Sequence, residues 1–220
     1  MNKQNLKDER RGGFYWKDGK PYVSVTQVLK CLDKPALRYW FGREVYRAMV
    51  VDPTLEESAA LSAPYKVSDT AKSRGTTIHS IVEAYKKSGA QIVPPEEFKG
   101  YAEAFYSWLK DYKMEVLEHE KTVFDEDHKV AGTLDLLCKN NGDIWVIDVK
   151  TGKDIYDEAF LQVSCYMHMS GANKGGVLLL QENGKYKSAE CPDYFEYFLA
   201  TKKMWEFMNR ELCKGVGYGN

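Results

Sequence analysis

The segment Ile144-Trp145-Val146-Ile147-Asp148-Val149-Lys150 is apolar on both faces until Asp148, and then alternates charged and apolar residues to its end. A strand of that kind belongs inside a sheet that helices cover on both sides. Side chains alternate along a strand, so Asp148 and Lys150 share one face. A carboxylate buried there without a cation is strongly unfavourable, and an ion pair with Lys150 is the simplest compensation. The chain is thereby constrained to an α/β architecture whose central strand ends in charge.

A second aspartate sharpens this. Val130-Ala131-Gly132-Thr133-Leu134-Asp135-Leu136-Leu137 reads as the preceding strand, joined to the first through Asn140-Asn141-Gly142-Asp143, a hairpin-turn sequence. Pairing through that turn brings Asp135 and Asp148 together. Converging carboxylates repel unless a cation lies between them. Their joint presence favours a divalent metal, and hard oxygen ligands with open positions suit Mg²⁺ or Mn²⁺, which also bind substrate phosphates.

A third candidate ligand is His79. Its helix buries Ile78, Ile81, Val82 and Tyr85, which places His79 and Glu83 together at the edge of the apolar face. Alone, a histidine there is a boundary residue; the two aspartates make it a candidate ligand.

The remaining elements follow from turn and periodicity signals. Residues 14–16 and 21–23 form two strands around Asp18-Gly19, and Ser24 with Gln27 caps a helix to about Cys31. Pro35 opens a helix to about Met49, and residues 50–66, with Pro53 and Pro64, read as a mobile connection. Helices are expected over about 68–87 and from Pro94 to Tyr112, the latter with Phe98, Tyr101, Ala102, Phe105, Trp108, Leu109 and Tyr112 on one face. A β-meander follows over about 116–150, then a helix from about Tyr156 to Ser170, strands near 175–182 and 185–190, and a last helix from Pro192 to Leu212 with Tyr194, Phe195, Phe198, Trp205 and Met208 as its core face. We read one domain over 1–220, comprising an N-terminal hairpin and helical extension (1–66) and a core (67–220).

At 220 residues, with 44% hydrophobic and 29% charged residues, the chain is neither disordered nor collagenous nor a coiled coil. It needs no structural metal or disulfide to hold a core, so a metal would serve chemistry. No apolar run nears the ~20 residues of a membrane span, and the first twelve residues lack a signal-peptide core. The five scattered cysteines contain no C-x-x-C pair, so a reduced, cytoplasmic protein is expected. Net charge is −1, yet residues 1–47 hold 11 Lys+Arg against 5 Asp+Glu. Arg38, Arg43 and Arg47 interleave there with Trp40, Phe41 and Tyr46, a pattern that suits single-stranded nucleic acid and equally an amphipathic helix.

Taken in order, Gly75-x3-His79, Gly132-Thr133-Leu134-Asp135, Asp148-Val149-Lys150-Thr151-Gly152 and Gln162-x3-Tyr166 resemble the RecB-like exonuclease branch of the PD-(D/E)XK nuclease superfamily, in the manner of its small phage-type members. The resemblance spans about residues 74–166. It implies a restriction-endonuclease-like core: a central mixed β-sheet whose meander carries the acidic residues, flanked by helices, with the N-terminal helical extension added. It further implies metal ligation by His79, Asp135, Asp148 and the backbone carbonyl of Val149, with Lys150 as catalytic lysine beside Asp135 and Asp148. Glu120 occupies the place of an upstream acidic residue that holds a second metal through water, or is a surface glutamate. Gln162 and Tyr166, one turn apart on a helix, position the lysine and contact the DNA backbone in the family. Arg74, Lys72 and Lys153 flank the proposed ligands and are candidate phosphate contacts. Leu134 replaces the family's proline before Asp135. Only Cys191 and Cys213 lie late in the chain, where some relatives hold an iron–sulfur cluster with three close cysteines; no cluster and no nucleotide cofactor are expected.

The function so implied is a metal-dependent DNA exonuclease acting on single-stranded or end-processed DNA in recombination, repair or replication, in the cytoplasm of a bacterium or phage-infected cell, with DNA and a recombination or single-strand-binding protein as partners and no membrane. The alternatives are an endonuclease of the same fold and a noncatalytic DNA-binding or scaffold protein.

Overall fold

The computed structural model describes residues 9–219, with backbone alone for residues 9 and 68–74. The first strands, β1 (Glu9–Arg11), β2 (Phe14–Lys17) and β3 (Lys20–Ser24), are antiparallel neighbours. Asp18 and Gly19, both at positive φ (50° and 75°), make the tight turn between β2 and β3 that matches strand twist. Ser24 then caps α1 (Val25–Val28), its Oγ accepting from the Gln27 N–H at 3.1 Å.

Two helices follow, α2 (Pro35–Val51) and α3 (Glu57–Ser88). The expected mobile connection is therefore mostly helix, because Pro64 sits inside α3 rather than ending it. A proline removes one backbone hydrogen bond there, and packing against α2 offsets the loss: Phe41 meets Tyr65 edge-on with ring centroids 5.3 Å apart. The expected junction at 66/67 falls within this same helix. A short 3₁₀ turn leads into α4 (Lys99–Asp111), whose apolar face is buried from Tyr101 to Leu109, while Tyr112 is exposed.

The meander β4 (Glu115–Asp125), β5 (Val130–Asn140) and β6 (Asp143–Lys150) is present as expected, followed by α5 (Asp157–Ser170), β7 (Lys174–Leu180) and β8 (Tyr186–Glu190). The chain closes with α6 (Phe195–Met208) and α7 (Arg210–Val216), separated at Asn209 where one longer helix was expected. Phe195, Phe198 and Trp205 are core residues, but Tyr194 and Met208 are exposed. With the break at Asn209, Cys213 and Tyr218 fill the core beside Trp205 instead.

The strands form one mixed sheet in the order β1-β2-β3-β5-β6-β7-β8, with β4 along the other edge of β5. One face is covered by α1, α5 and α6 over Val146, Val163, Val177, Phe198 and Trp205; the other by α3 and α4 over Ile81, Phe105, Trp108, Ile147 and Leu178. This is a mixed α/β fold with a central sheet between helices. Among the described residues no helix is long and apolar enough to cross a membrane.

Candidate metal centre

The site forms where β5 changes neighbours. On one edge β5 pairs with β4 along its length; on the other it pairs in parallel with β3 at Val130 and Ala131, and in antiparallel with β6 only from Leu136 onward. Residues 132–135 have no ladder partner on that second edge. The face alternation of β5 also inverts here, with Leu134 in the α5 layer and Leu136 in the α4 layer. Continuing the pair Leu136↔Ile147 by one step sets Asp135 opposite Asp148, and the pairs His119↔Leu136 and Lys121↔Leu134 set Glu120 opposite Asp135. Three carboxylates thus occupy one rung of three adjacent strands. Glu120 sits at φ +48°, a local distortion of the sort strands show beside functional sites.

The parted backbone is bridged by a side chain: Asp135 Oδ2 accepts the Val149 N–H at 2.8 Å. Because the N–H and C=O of a strand residue leave by the same edge, the Val149 carbonyl faces this gap as well. Asp148 is 1% exposed, and Lys150 Nζ lies 2.7 Å from its Oδ2 as an ion pair. Neither Asp148 oxygen accepts a well-aligned hydrogen bond from a described residue. Burial raises both aspartates above the usual carboxylate range; Lys150 opposes the rise at each, and the Asp135 charge adds to it at Asp148. Burial works to lower Lys150, but Asp148 and Asp135 outweigh it and hold the ammonium above its ordinary value.

From α3, His79 points at the same rung. Its Nε2 is 4.0 Å from Asp135 Oδ1 and its Nδ1 is 3.6 Å from Glu120 Oε1. Burial lowers its pKa, with Glu120 and Asp148 partly opposing, which favours the neutral imidazole that metal ligation needs. His119 of β4 stands beside it, ring centroids 5.7 Å apart, likewise lowered chiefly by burial. Its Nε2 is buried without a hydrogen-bond partner among the described residues. One ligand atom each from His79, His119 and Glu120 lie within 4.8 Å of one another. A cleft of about 410 Å³, lined by Glu83, Lys86, Lys87, His119 and Glu120, opens next to them.

No protein-family model and no curated protein matches the sequence. Among solved structures, a candidate exonuclease from Eubacterium rectale aligns with TM-score 0.47 at 15% identity, over 90% of this chain and 83% of that one. An alkaline exonuclease from Laribacter hongkongensis aligns with TM-score 0.39 at 13% identity, over 89% and 94%. These are likenesses of overall chain arrangement; what the site does is argued from its own atoms.

Asp148 Oδ1 and His119 Nε2, buried without partners among the described residues, and the clustered ligand atoms of His79, His119 and Glu120 are the chemistry a bound cation would satisfy. Asp135, Asp148, His79 and the Val149 carbonyl are the donors that could hold such an ion, with Glu120 3.6 Å from His79 Nδ1. His119 is a residue that sequence periodicity does not single out, since a histidine on a long strand looks like surface. Of the other expected residues, Gln162 is half-buried on α5 and Tyr166 is 2% exposed. Tyr166 packs on Gly132: a Cβ built there would lie 2.5 Å from Tyr166 Cε1. Lys153 is exposed on the loop after Lys150. Arg38, Arg43 and Arg47 all lie on α2, paired with Asp33 at 2.7 Å and with Glu44 at 3.5 and 2.9 Å. The side chains of Lys72 and Arg74 lie outside the described residues.

Proposed function

We propose that the chain is a metal-dependent deoxyribonuclease, an exonuclease that hydrolyses DNA phosphodiester bonds with Mg²⁺ or Mn²⁺. The observation that carries this is the buried Asp148, its Oδ2 held by the Lys150 ammonium and its Oδ1 without a partner among the described residues, converging with Asp135 and with His79, whose pKa burial lowers. A pure DNA binder gains nothing from carboxylates that repel phosphate. A divalent ion held there supplies Lewis-acid polarisation of a phosphoryl oxygen and acidifies water. Asp135 and Asp148 bring the negative charge that holds such an ion, His79 adds a nitrogen donor, and Asp135 fixes the position of Val149 through its backbone N–H. Lys150, a third exposed and charged, faces the charge that develops on the phosphate. Tyr166, buried against Gly132, keeps α5 seated on the sheet, and Gln162, one turn before it on that helix, is assigned the positioning of Lys150.

End-labelled linear DNA with Mg²⁺ or Mn²⁺ tests this directly. The wild type should release short products, EDTA should stop release, and Asp148→Asn should abolish it with the fold intact. Tight DNA binding without cleavage under every metal would overturn the proposal in favour of a scaffold role.

A further inference from the structure

A second constellation lies well away from the first. Asp125 ends β4, five residues and roughly 17 Å along the strand from Glu120. His128 stands in the turn to β5, and His168 comes from the last turn of α5. Asp125 Oδ2 is 2.7 Å from His128 Nδ1 and 3.7 Å from His168 Nε2. Donor atoms sharing a tetrahedral ion at bond lengths of about 2.0–2.2 Å lie about 3.3–3.6 Å apart. The 2.7 Å contact is a hydrogen bond, which an ion would replace, and one ligand atom from each of the three lies within 4.8 Å of the others.

Packing holds the three groups in place. Asp125 Oδ1 accepts the His128 backbone N–H at 2.9 Å. The His168 ring stacks on Phe195 with centroids 3.8 Å apart and planes at 12°, and His128 meets the same Phe195 edge-on at 5.3 Å. The Asp125 side chain is 7% exposed, against 35% and 48% for His128 and His168. A buried carboxylate therefore sits beneath two rings that reach solvent, and His168 lines a surface pocket of about 250 Å³ with Ser164, Asn173 and Asp193. A simple turn cap accounts for both Asp125–His128 hydrogen bonds, Oδ1 to the backbone N–H and Oδ2 to Nδ1. It does not account for a second imidazole arriving from a different element.

We propose that Asp125, His128 and His168 form a second metal site, selective for Zn²⁺ and similar transition ions, that fastens the β4–β5 turn to α5. Two imidazoles and one carboxylate are a zinc-type donor set, unlike the oxygen-rich set around Asp148 that suits Mg²⁺. The bound ion would tie the helix that carries Gln162 and Tyr166 to the strand pair that carries Glu120 and Asp135, without itself touching substrate. The proposal does not depend on the nuclease assignment.

The test titrates chelator-stripped protein with Zn²⁺ by calorimetry, in a background of His79→Ala, His119→Ala and Asp148→Asn so that the first centre, including its own pair of imidazoles, is disabled. One Zn²⁺ should still bind, and His128→Gln or His168→Gln should each weaken it at least tenfold. Nitrogen-15 imidazole spectra of the wild type supply a readout that needs no variant: Zn²⁺ should shift the His128 and His168 ring nitrogens. Absence of a bound Zn²⁺ in the disabled background, unchanged affinity in His168→Gln, or shifts confined to His79 and His119 would overturn the site.

Discussion

Asp148 is a carboxylate 1% exposed whose close ion pair among the described residues is with Lys150. Its folded pKa, like that of Asp135, is raised by burial to about 6. A group raised on folding contributes stability below its unfolded value and loses it as pH rises through the folded one. The metal-free wild type should therefore lose thermal stability relative to Asp148→Asn between about pH 4 and 7, the range over which a lone carboxylate and then this pair ionise. Comparing the two melting curves in EDTA checks this, because acid effects common to both cancel. Adding Mn²⁺ at pH 8 should raise the wild-type Tm and leave Asp148→Asn almost unmoved. Lys150→Ala belongs to a different class: it should keep most Mn²⁺ affinity while turnover falls by about a hundredfold or more, as expected of a group acting on developing charge. A collapse of metal affinity in that variant would make Lys150 a structural counter-ion. For His79→Ala the loss should appear in metal affinity itself, at least tenfold by calorimetry. Since burial already lowers the His79 pKa, acid inactivation through its protonation should begin below the ordinary histidine range.

At the scale of elements, the site depends on how closely α5 lies on the sheet. Gly132 of β5 and Gly175 of β7 are both places where a Cβ would collide with α5, at 2.5 Å from Tyr166 Cε1 and 2.4 Å from Met167 Sδ. Gly132→Ala should cost about 1–3 kcal/mol through overpacking, and the double variant with Tyr166→Ala should be less destabilised than the two changes added together. Urea unfolding of the four proteins measures that coupling; strict additivity would mean the ring is free to move. This contact also explains why Gly132 and Tyr166, both part of the spacing visible in the sequence, occur together. The β5–β6 pair was legible because Asn141-Gly142 marks the turn, at φ 48° and 94°, and because a strand apolar on both faces has few homes. The convergence of Asp135 and Asp148 followed from that register. Less legible was α3 through Pro64, where packing on α2 overrides a helix breaker. His119 and the trio of Asp125, His128 and His168 were not legible at all: their neighbours come from distant elements, and no local period points to them. The positive φ of Glu120 likewise leaves no mark on a glutamate in a strand sequence.

For the whole molecule, the basic excess of residues 1–47 and the centre around Asp148 are linked by a single helix. α3 packs against α2 at Tyr65 and presents His79 fourteen residues later, about 21 Å along its axis. Against the described residues, no side chain of α2 is fully buried, and Tyr39, Tyr46, Met49 and Val50 are exposed among its arginines. The ion pair of Arg38 with Asp33 lies largely in solvent, at 73% and 63% exposed, so exchanging that carboxylate for a phosphate costs little, while Arg47 is 60% exposed but shares with Arg43 the largely buried Glu44. A single strand held by these cations and stacked on these rings could run along α3 to the metal centre, and a strand that must thread needs an end. Linear single-stranded DNA should accordingly be degraded to short products while closed single-stranded circles survive under the same Mg²⁺ conditions. Arg38→Ala and Arg47→Ala should each weaken DNA binding and reduce the slope of log affinity against log salt by about 0.7, the share of one phosphate contact on single strands. Equal cutting of circles and linear strands would favour the endonuclease alternative, with α2 a covering layer instead of an entrance. Unchanged salt slopes with circles still spared would keep the need for an end and move the entrance away from α2.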